Sequence, residues 1–187
     1  MEKLKNRTIA VLSENGFEES ELLKPVERLK EEGATIHIIS TKSGKIQAMK
    51  DDRDWTVEVD VDQTLDNVKA EDYHGLLLPG GVLNPDSLRQ DEKALTFVKA
   101  FFEARKPVAA ICHAPQVLIS AGVVEGRKLT SIPHIAIDLK NAGAEWVDEE
   151  VVVDNGLVTS RSPKDLPAFC DKIVEEFAEG VHGGQHA

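Results

Sequence analysis

A chain of 187 residues with 41% hydrophobic content holds material for one core, and its formal net charge of -11 lacks the clustered Lys and Arg that a phosphate backbone demands. These values disfavour nucleic-acid binding and point to small molecules or proteins as partners. The opening MEKLKNRTIAVLS carries no apolar run fit for a signal peptide, and no segment reaches the roughly 20 apolar residues of a membrane span, so a cytoplasmic protein is expected.

In chain order, TIAVLS (8–13) reads as a buried strand, and ESELLKPVERLKEEG then sets Leu22, Val26 and Leu29 at helical spacing, with Gly33 as the stop. TIHIIS (35–40) is a second strand. The stretch from Ser43 to Leu65, with Gly44, a charged middle and the alternating WTVEVDV, reads as an excursion with short strands. GLLLPGG (75–81) is a third buried strand ending in a loop, and DEKALTFVKAFFEARK is a helix with Leu95, Val98 and Phe102 on one face. PVAAIC (107–112) is the fourth strand, followed by the helix HAPQVLISAG (113–122), stopped at Gly122.

HIAIDLKNAG (134–143) reads as helical, and EEVVVDNGLVTSR as a hairpin around Asp154, Asn155 and Gly156. In the last helix Ser162 is the expected N-cap, with Pro163 and Asp165 in the first turn, and Leu166, Phe169, Cys170, Ile173, Val174 and Phe177 form one face. Cys170 is thereby a core residue. The tail GVHGGQHA lacks the acidic or thiol company of a metal site and is expected to fray over about 180–187, and no repeat or linker divides 1–187. Alternating strands and helices give an α/β domain with a mostly parallel sheet. A structural disulfide between Cys112 and Cys170 is not expected in a reducing compartment.

An isolated cysteine in an apolar run is by default a packing residue. Cys112 differs by its place: it ends a strand, where open α/β sheets bind ligands, it is followed at once by His113, and a helix N-terminus begins behind it. Those surroundings lower a thiol pKa and make a nucleophile. Ala110 and Ala114 supply the small flanks that a crowded strand-to-helix turn requires. Glu18 at the start of the first helix offers a carboxyl that can exchange a proton, and Gly80 and Gly81 let backbone N–H groups approach a ligand. Gly81 and His113 N–H are the candidate oxyanion donors. His74 and His134 are read as structural. With no Walker sequence, no G-x-G-x-x-G and no tight His/Cys/acid cluster, neither a cofactor nor a metal is expected.

Taken together, FEESEL, LLLPGG, PVAAICHAPQVLISAGVVEGRKLTS and NAGAEWVDEEVVVDNGLVTSRSPKDLPAF resemble the PfpI family of the ThiJ/PfpI superfamily over nearly the whole chain. The resemblance implies a flavodoxin-like sandwich, helices on both faces of the sheet, and a nucleophile-elbow cysteine at Cys112 with Glu18 hydrogen-bonded to its sulfur. It also implies that His113 takes an acid from a neighbouring subunit, for which Asp86 in LNPDSLR is the matching position, and hence a homodimer or larger assembly. The chain departs from the family in carrying Ala114 where glycine is common beside the oxyanion position, Asp86 where the acid is often Glu, and a longer VLNPD loop.

Three activities follow from the resemblance. The first is chemistry on reactive carbonyls, as a glyoxalase III or protein deglycase in a stress response: Cys112 adds to an aldehyde and Glu18 or His113 moves the proton. The second is an intracellular cysteine peptidase, ranked lower because adjacent Cys and His side chains are expected to point apart. The third is a redox-sensing or protective protein oxidised at Cys112 without turnover.

Overall fold

The computed structural model describes residues 2–185 and 187. The chain runs β1 (Thr8–Leu12), β2 (Phe17–Glu18), α1 (Glu19–Glu31), β3 (Thr35–Ser40), β4 (Lys45–Lys50), β5 (Asp54–Asp60), β6 (Gln63–Thr64), β7 (Gly75–Leu78), α2 (Leu83–Leu88), α3 (Glu92–Glu103) and β8 (Val108–Ile111). It continues through α4 (Pro115–Ala121), β9 (Lys128–Leu129), α5 (Ala136–Asn141), β10 (Glu145–Trp146), β11 (Val151–Asp154), β12 (Leu157–Ser160) and α6 (Leu166–Glu179). The main sheet has seven strands in the order β11-β12-β8-β7-β1-β3-β6. Every pairing in it is parallel except the β11–β12 hairpin.

Continuous apolar runs form its centre because both faces of a parallel sheet are covered. Successive residues alternate between two cores: Ala10, Leu12, Leu76, Leu78, Val108 and Ala110 face α3, α4 and α5, whereas Ile9, Val11, Leu77, Ala109 and Ile111 face α1 and α6. This is the expected doubly covered α/β sandwich. The register of β7 on β1 and of β8 on β7 brings the carboxyl ends of these strands to one edge, where Pro79 and Cys112 follow.

The excursion after β3 is a hairpin of β4 and β5 that pairs with β2 in a small separate sheet. Its turn contains Asp51 and Asp52, both left-handed at φ 54° and 53°. Pairing β4 with β2, immediately before α1, sets that acidic turn beside the strand ends.

Several local expectations need adjustment. The buried stripe of α3 is Ala94, Phe97, Val98, Phe101 and Phe102, with Leu95 at its margin. The helix after Cys112 starts only at Pro115, because residues 112–114 form a turn; it ends, as expected, on a left-handed Gly122. Ser162 makes no side-chain cap, and the Asp165 carboxylate instead accepts from Arg161 at 2.9 Å. Cys170 lies in the core as a free thiol, and burial pushes it up to about 11. Residues 180–185 fold back on the domain: His182 N–H donates to the Arg105 carbonyl at 2.9 Å and Gln185 is 2% exposed.

Phe101 is fully buried and meets Phe97 edge-on at 5.2 Å between ring centres. Phe101→Ala is expected to cost about 3–5 kcal/mol, read as a lower urea midpoint at unchanged slope. A loss below about 1 kcal/mol would contradict this account of the helix-side core.

Candidate active site at the carboxyl edge of the sheet

Cys112 is a non-glycine residue at φ 63°, in the left-handed region, on the step from β8 into the turn before α4. The surrounding structure holds it there: its N–H donates to the Ser160 carbonyl at 3.0 Å, its carbonyl accepts from Ile132 N–H at 3.1 Å, and Ala114 N–H closes the turn on Ile111 at 3.0 Å. Such strain persists only where neighbours over-determine the backbone. Ala114 is 1% exposed with its N–H spent inside the turn, so it packs and contributes no donor to the pocket.

Beneath the sulfur lies Glu21, not Glu18. Both Glu21 oxygens are sealed from solvent, and neither makes a hydrogen bond of good geometry among the described residues. The polar groups they face are the Cys112 thiol and the Gly80 N–H. Loss of hydration pushes the Glu21 carboxyl up to about 8, with the Glu18 charge adding, so the group is protonated at neutral pH. Glu18 is buried too, but its Oε2 accepts the Asp51 N–H at 2.9 Å. Its role is to hold the acidic turn, and burial is the main cause of its own raised pKa.

The two glycines are fixed by space. A Cβ at Gly80 would lie 2.7 Å from Cys112 Cβ and run into the Glu21 carboxyl, and Gly81, at φ +83°, has Glu18 N 2.7 Å from where its Cβ would be. Buried Asn84 pins the loop through its side-chain N–H groups, donating to Pro79 and Gly80 carbonyls at 2.9 and 3.1 Å. The Gly81 and His113 N–H groups then point at the sulfur.

Burial raises the Cys112 thiol above the usual cysteine range, the Glu21 charge adds to this, and those two N–H groups oppose it. The helix N-terminus therefore does not leave a free thiolate at rest, contrary to the sequence expectation: the thiol is only 6% exposed, and lost hydration outweighs the dipole of a seven-residue helix. With Glu21 protonated, its charge vanishes and its O–H becomes a donor. At neutral pH the carboxyl and the thiol therefore both hold their protons, with two N–H groups facing the sulfur to meet charge as it forms there.

His113 reaches the sulfur. Its Nδ1 lies 3.3 Å from Cys112 Sγ, which overturns the expectation that the adjacent side chains point apart. Burial lowers its pKa, although the Asp52 charge works the other way, so the ring is neutral near pH 7. The His134 ring lies nearly parallel to it, with centres 6.2 Å apart. Asp52 also acts on Glu18, Glu21 and Cys112, and its Oδ1 accepts the Val82 N–H at 2.8 Å. Asp86 is exposed on α2, and no hydrogen bond or ion pair joins it to His113 among the described residues.

Sequence reading thus missed Glu21 and Asp52. Glu21 carries a visible signal: it lies with Leu22, Pro25, Val26 and Leu29 on the buried stripe of α1, where an acid has no solvent reason to be. Asp52 carries none beyond a pair of acids in a turn.

The raised Glu21 pKa has a sign for stability. The folded state binds this proton more tightly than the unfolded chain, so the stabilisation is complete below the unfolded value of 4.5 and is lost as pH rises through about 8. Unfolding free energy should fall by about 1 kcal/mol per pH unit in that window, and Glu21→Gln should flatten the slope by a similar amount. Urea titrations at several pH values would contradict the assignment if the two slopes matched. Glu21→Leu should also slow iodoacetamide alkylation of Cys112 at pH 7 by about tenfold, and Glu18→Gln by less than about threefold; the reverse order would restore Glu18.

Known proteins resemble this chain over most of its length. Residues 7–176 match the model of the DJ-1/PfpI family. The chain is 47% identical over 167 residues to a deglycase of Thermococcus kodakarensis, covering 89% of this chain and 97% of that protein. It is 47% identical over 165 residues to protein/nucleic acid deglycase 2 of Escherichia coli, covering 88% and 94%. Among solved structures, DJ-1beta of Drosophila melanogaster superimposes with a TM-score of 0.83 at 30% identity, covering 92% of this chain and 90% of that one.

Proposed function

The chain belongs to the DJ-1/PfpI family, and on that premise we propose that it is a cysteine-dependent deglycase that removes methylglyoxal-type adducts from amino and thiol groups. The observation that carries the reading is the buried Glu21–Cys112 pair, set under the Gly81 and His113 N–H groups with a neutral imidazole 3.3 Å from the sulfur. The deglycase names of the relatives support it. No helix among the described residues is long and apolar enough to cross a membrane.

The proposed steps balance without a cofactor. An adduct releases its amine or thiol as the aldehyde reaches the pocket, and Cys112 sulfur forms a bond to the aldehyde carbon while the carbonyl oxygen takes the proton that Glu21 holds and the thiol proton passes to the Glu21 carboxylate. The N–H groups of Gly81 and His113 stabilise the negative oxygen as it develops. The His113 imidazole then removes the hydrogen on that carbon and returns a proton to the neighbouring carbonyl carbon, while the hydroxyl proton of the hemithioacetal passes to the oxygen of that neighbouring carbonyl, which gives the thioester of a 2-hydroxy acid. Water cleaves the carbon–sulfur bond, lactate leaves, and Cys112 regains its proton.

Cys112→Ser is expected to lower lactate release from a methylglyoxal-treated amine or thiol at least about a hundredfold. Equal rates for the variant and the parent chain, measured by lactate assay, would end the proposal. The close imidazole also meets the main geometric demand of a cysteine peptidase, so release of peptides from casein that disappears in Cys112→Ala would favour that second reading.

The site is also proposed to be completed by a second copy of the chain, with Asp86 presented to the partner's His113. Asp86 shares α2 with Leu83, which is 44% exposed, and follows Val82, which is 41% exposed, an apolar margin beside an acid whose carboxylate makes no hydrogen bond or ion pair among the described residues. Cys112→Ala and Asp86→Ala proteins should each be inactive alone. Mixed in equal amounts after dissociation, they should recover about a quarter of the parent rate, because half the dimers then hold one complete site. No recovery would remove Asp86 from the site.

A further inference from the structure

We propose that the end of α6 and the folded-back tail form a second site, separate from Cys112, which binds a divalent transition-metal ion of the zinc type through Glu176, Glu179 and His182. One ligand atom from each of these residues lies within 4.8 Å of the others. Glu176 and Glu179 are one turn apart on the last stretch of α6, and His182 returns to the same face because its N–H is held by the Arg105 carbonyl at 2.9 Å.

The distances suit a metal better than a direct ion pair. His182 Nε2 lies 3.4 Å from Glu176 Oε2, longer than a good N–H to oxygen hydrogen bond. Two ligands each about 2.1 Å from a tetrahedral zinc ion are about 3.4 Å apart. His182 Nε2 is sealed from solvent and makes no hydrogen bond among the described residues. Among those residues, neither glutamate pairs with a lysine or arginine; Arg7 instead donates to the Ala178 carbonyl at 3.1 Å.

An independent observation is Gln185. It is 2% exposed, and both atoms of its side-chain amide lack a partner among the described residues, a costly state for a buried polar group. Its Oε1 lies beside the imidazole: a Cβ on Gly156 would be 2.7 Å from Gln185 Oε1 and 2.6 Å from His182 Cδ2. By those two distances the unpaired amide oxygen lies no more than about 5.3 Å from Cδ2, the ring atom bonded to Nε2. The C-terminal end of a helix adds a partial negative charge that favours a cation there. Carboxylates with one imidazole suit zinc, and its exposed Glu179 side leaves the site a route to solvent.

The full-length chain, stripped with a chelator and carrying Cys112→Ala so that sulfur cannot bind the probe, should take up one equivalent of zinc chloride by calorimetry and unfold at a higher temperature with it. Glu179→Gln and His182→Gln in that background should each weaken binding at least about tenfold. Cobalt chloride should give visible bands of a nitrogen and oxygen environment with no sulfur charge-transfer band. The exposed Glu179 keeps the test valid if His182→Gln loosens the tail, since its metal-free melting temperature should match that of the Cys112→Ala protein. Absence of binding, or binding that Glu179→Gln leaves unchanged, would overturn the proposal.

Discussion

A carboxyl buried against a sulfur cannot easily share that space as two anions. Two negative charges side by side in a medium of low permittivity repel strongly, so the pair does not ionise twice and the carboxyl keeps its proton at neutral pH. That constraint governs the site: Glu21 sits where solvent cannot reach it, Cys112 is 6% exposed, and charge that forms on the sulfur meets backbone N–H groups that the fold has aimed. The strained turn at Cys112, the glycines at 80 and 81 and the buried Asn84 all serve the same end. Each removes bulk or fixes a donor so that carboxyl, sulfur and N–H groups fit in one small volume.

The parallel sheet explains why these parts meet. β1, β7 and β8 are adjacent, so the segments that follow them emerge side by side, and α1, the Pro79–Gly81 loop and the Cys112 turn converge from distant sequence positions. The β2–β4–β5 sheet then lays the Asp51–Asp52 turn against the same edge, where the Asp51 N–H takes up Glu18. Glu18 thus spends its charge on positioning, while Glu21, one turn further along the helix, is left to exchange a proton with sulfur.

How far this was legible in the sequence depended on the range of the information. Strands such as GLLL and VAAI announced themselves because both faces are buried, and Gly122 marked a helix end because only a left-handed residue fits there. The cysteine turn was legible for the same local reason. The identity of its acid was not, since choosing among Glu18, Glu19 and Glu21 requires the phase of α1 against the core, and the motif drew attention to the first acid instead of the one inside the apolar stripe. Asp52 and the tail were further out of reach. One depends on how a hairpin folds over the sheet, and the other on a return to Arg105 across 77 positions, from 105 to 182.

The same logic distinguishes the two ends of the molecule. At the carboxyl edge, a buried acid is tolerated because it keeps its proton, and that proton is what makes it useful to a sulfur. At the end of α6, Glu176 is buried beside an imidazole and an unpartnered amide, and its raised pKa has burial as its first cause, with the charge of His182 opposing it. A proton or a cation can neutralise such a group. A proton on Glu176 can be shared with the His182 nitrogen but brings nothing to the Gln185 oxygen, whereas an ion accepts lone pairs from both. The unpaired atoms therefore discriminate between the two ways of removing the charge, and they favour an ion where the fold gathers several lone pairs around one point.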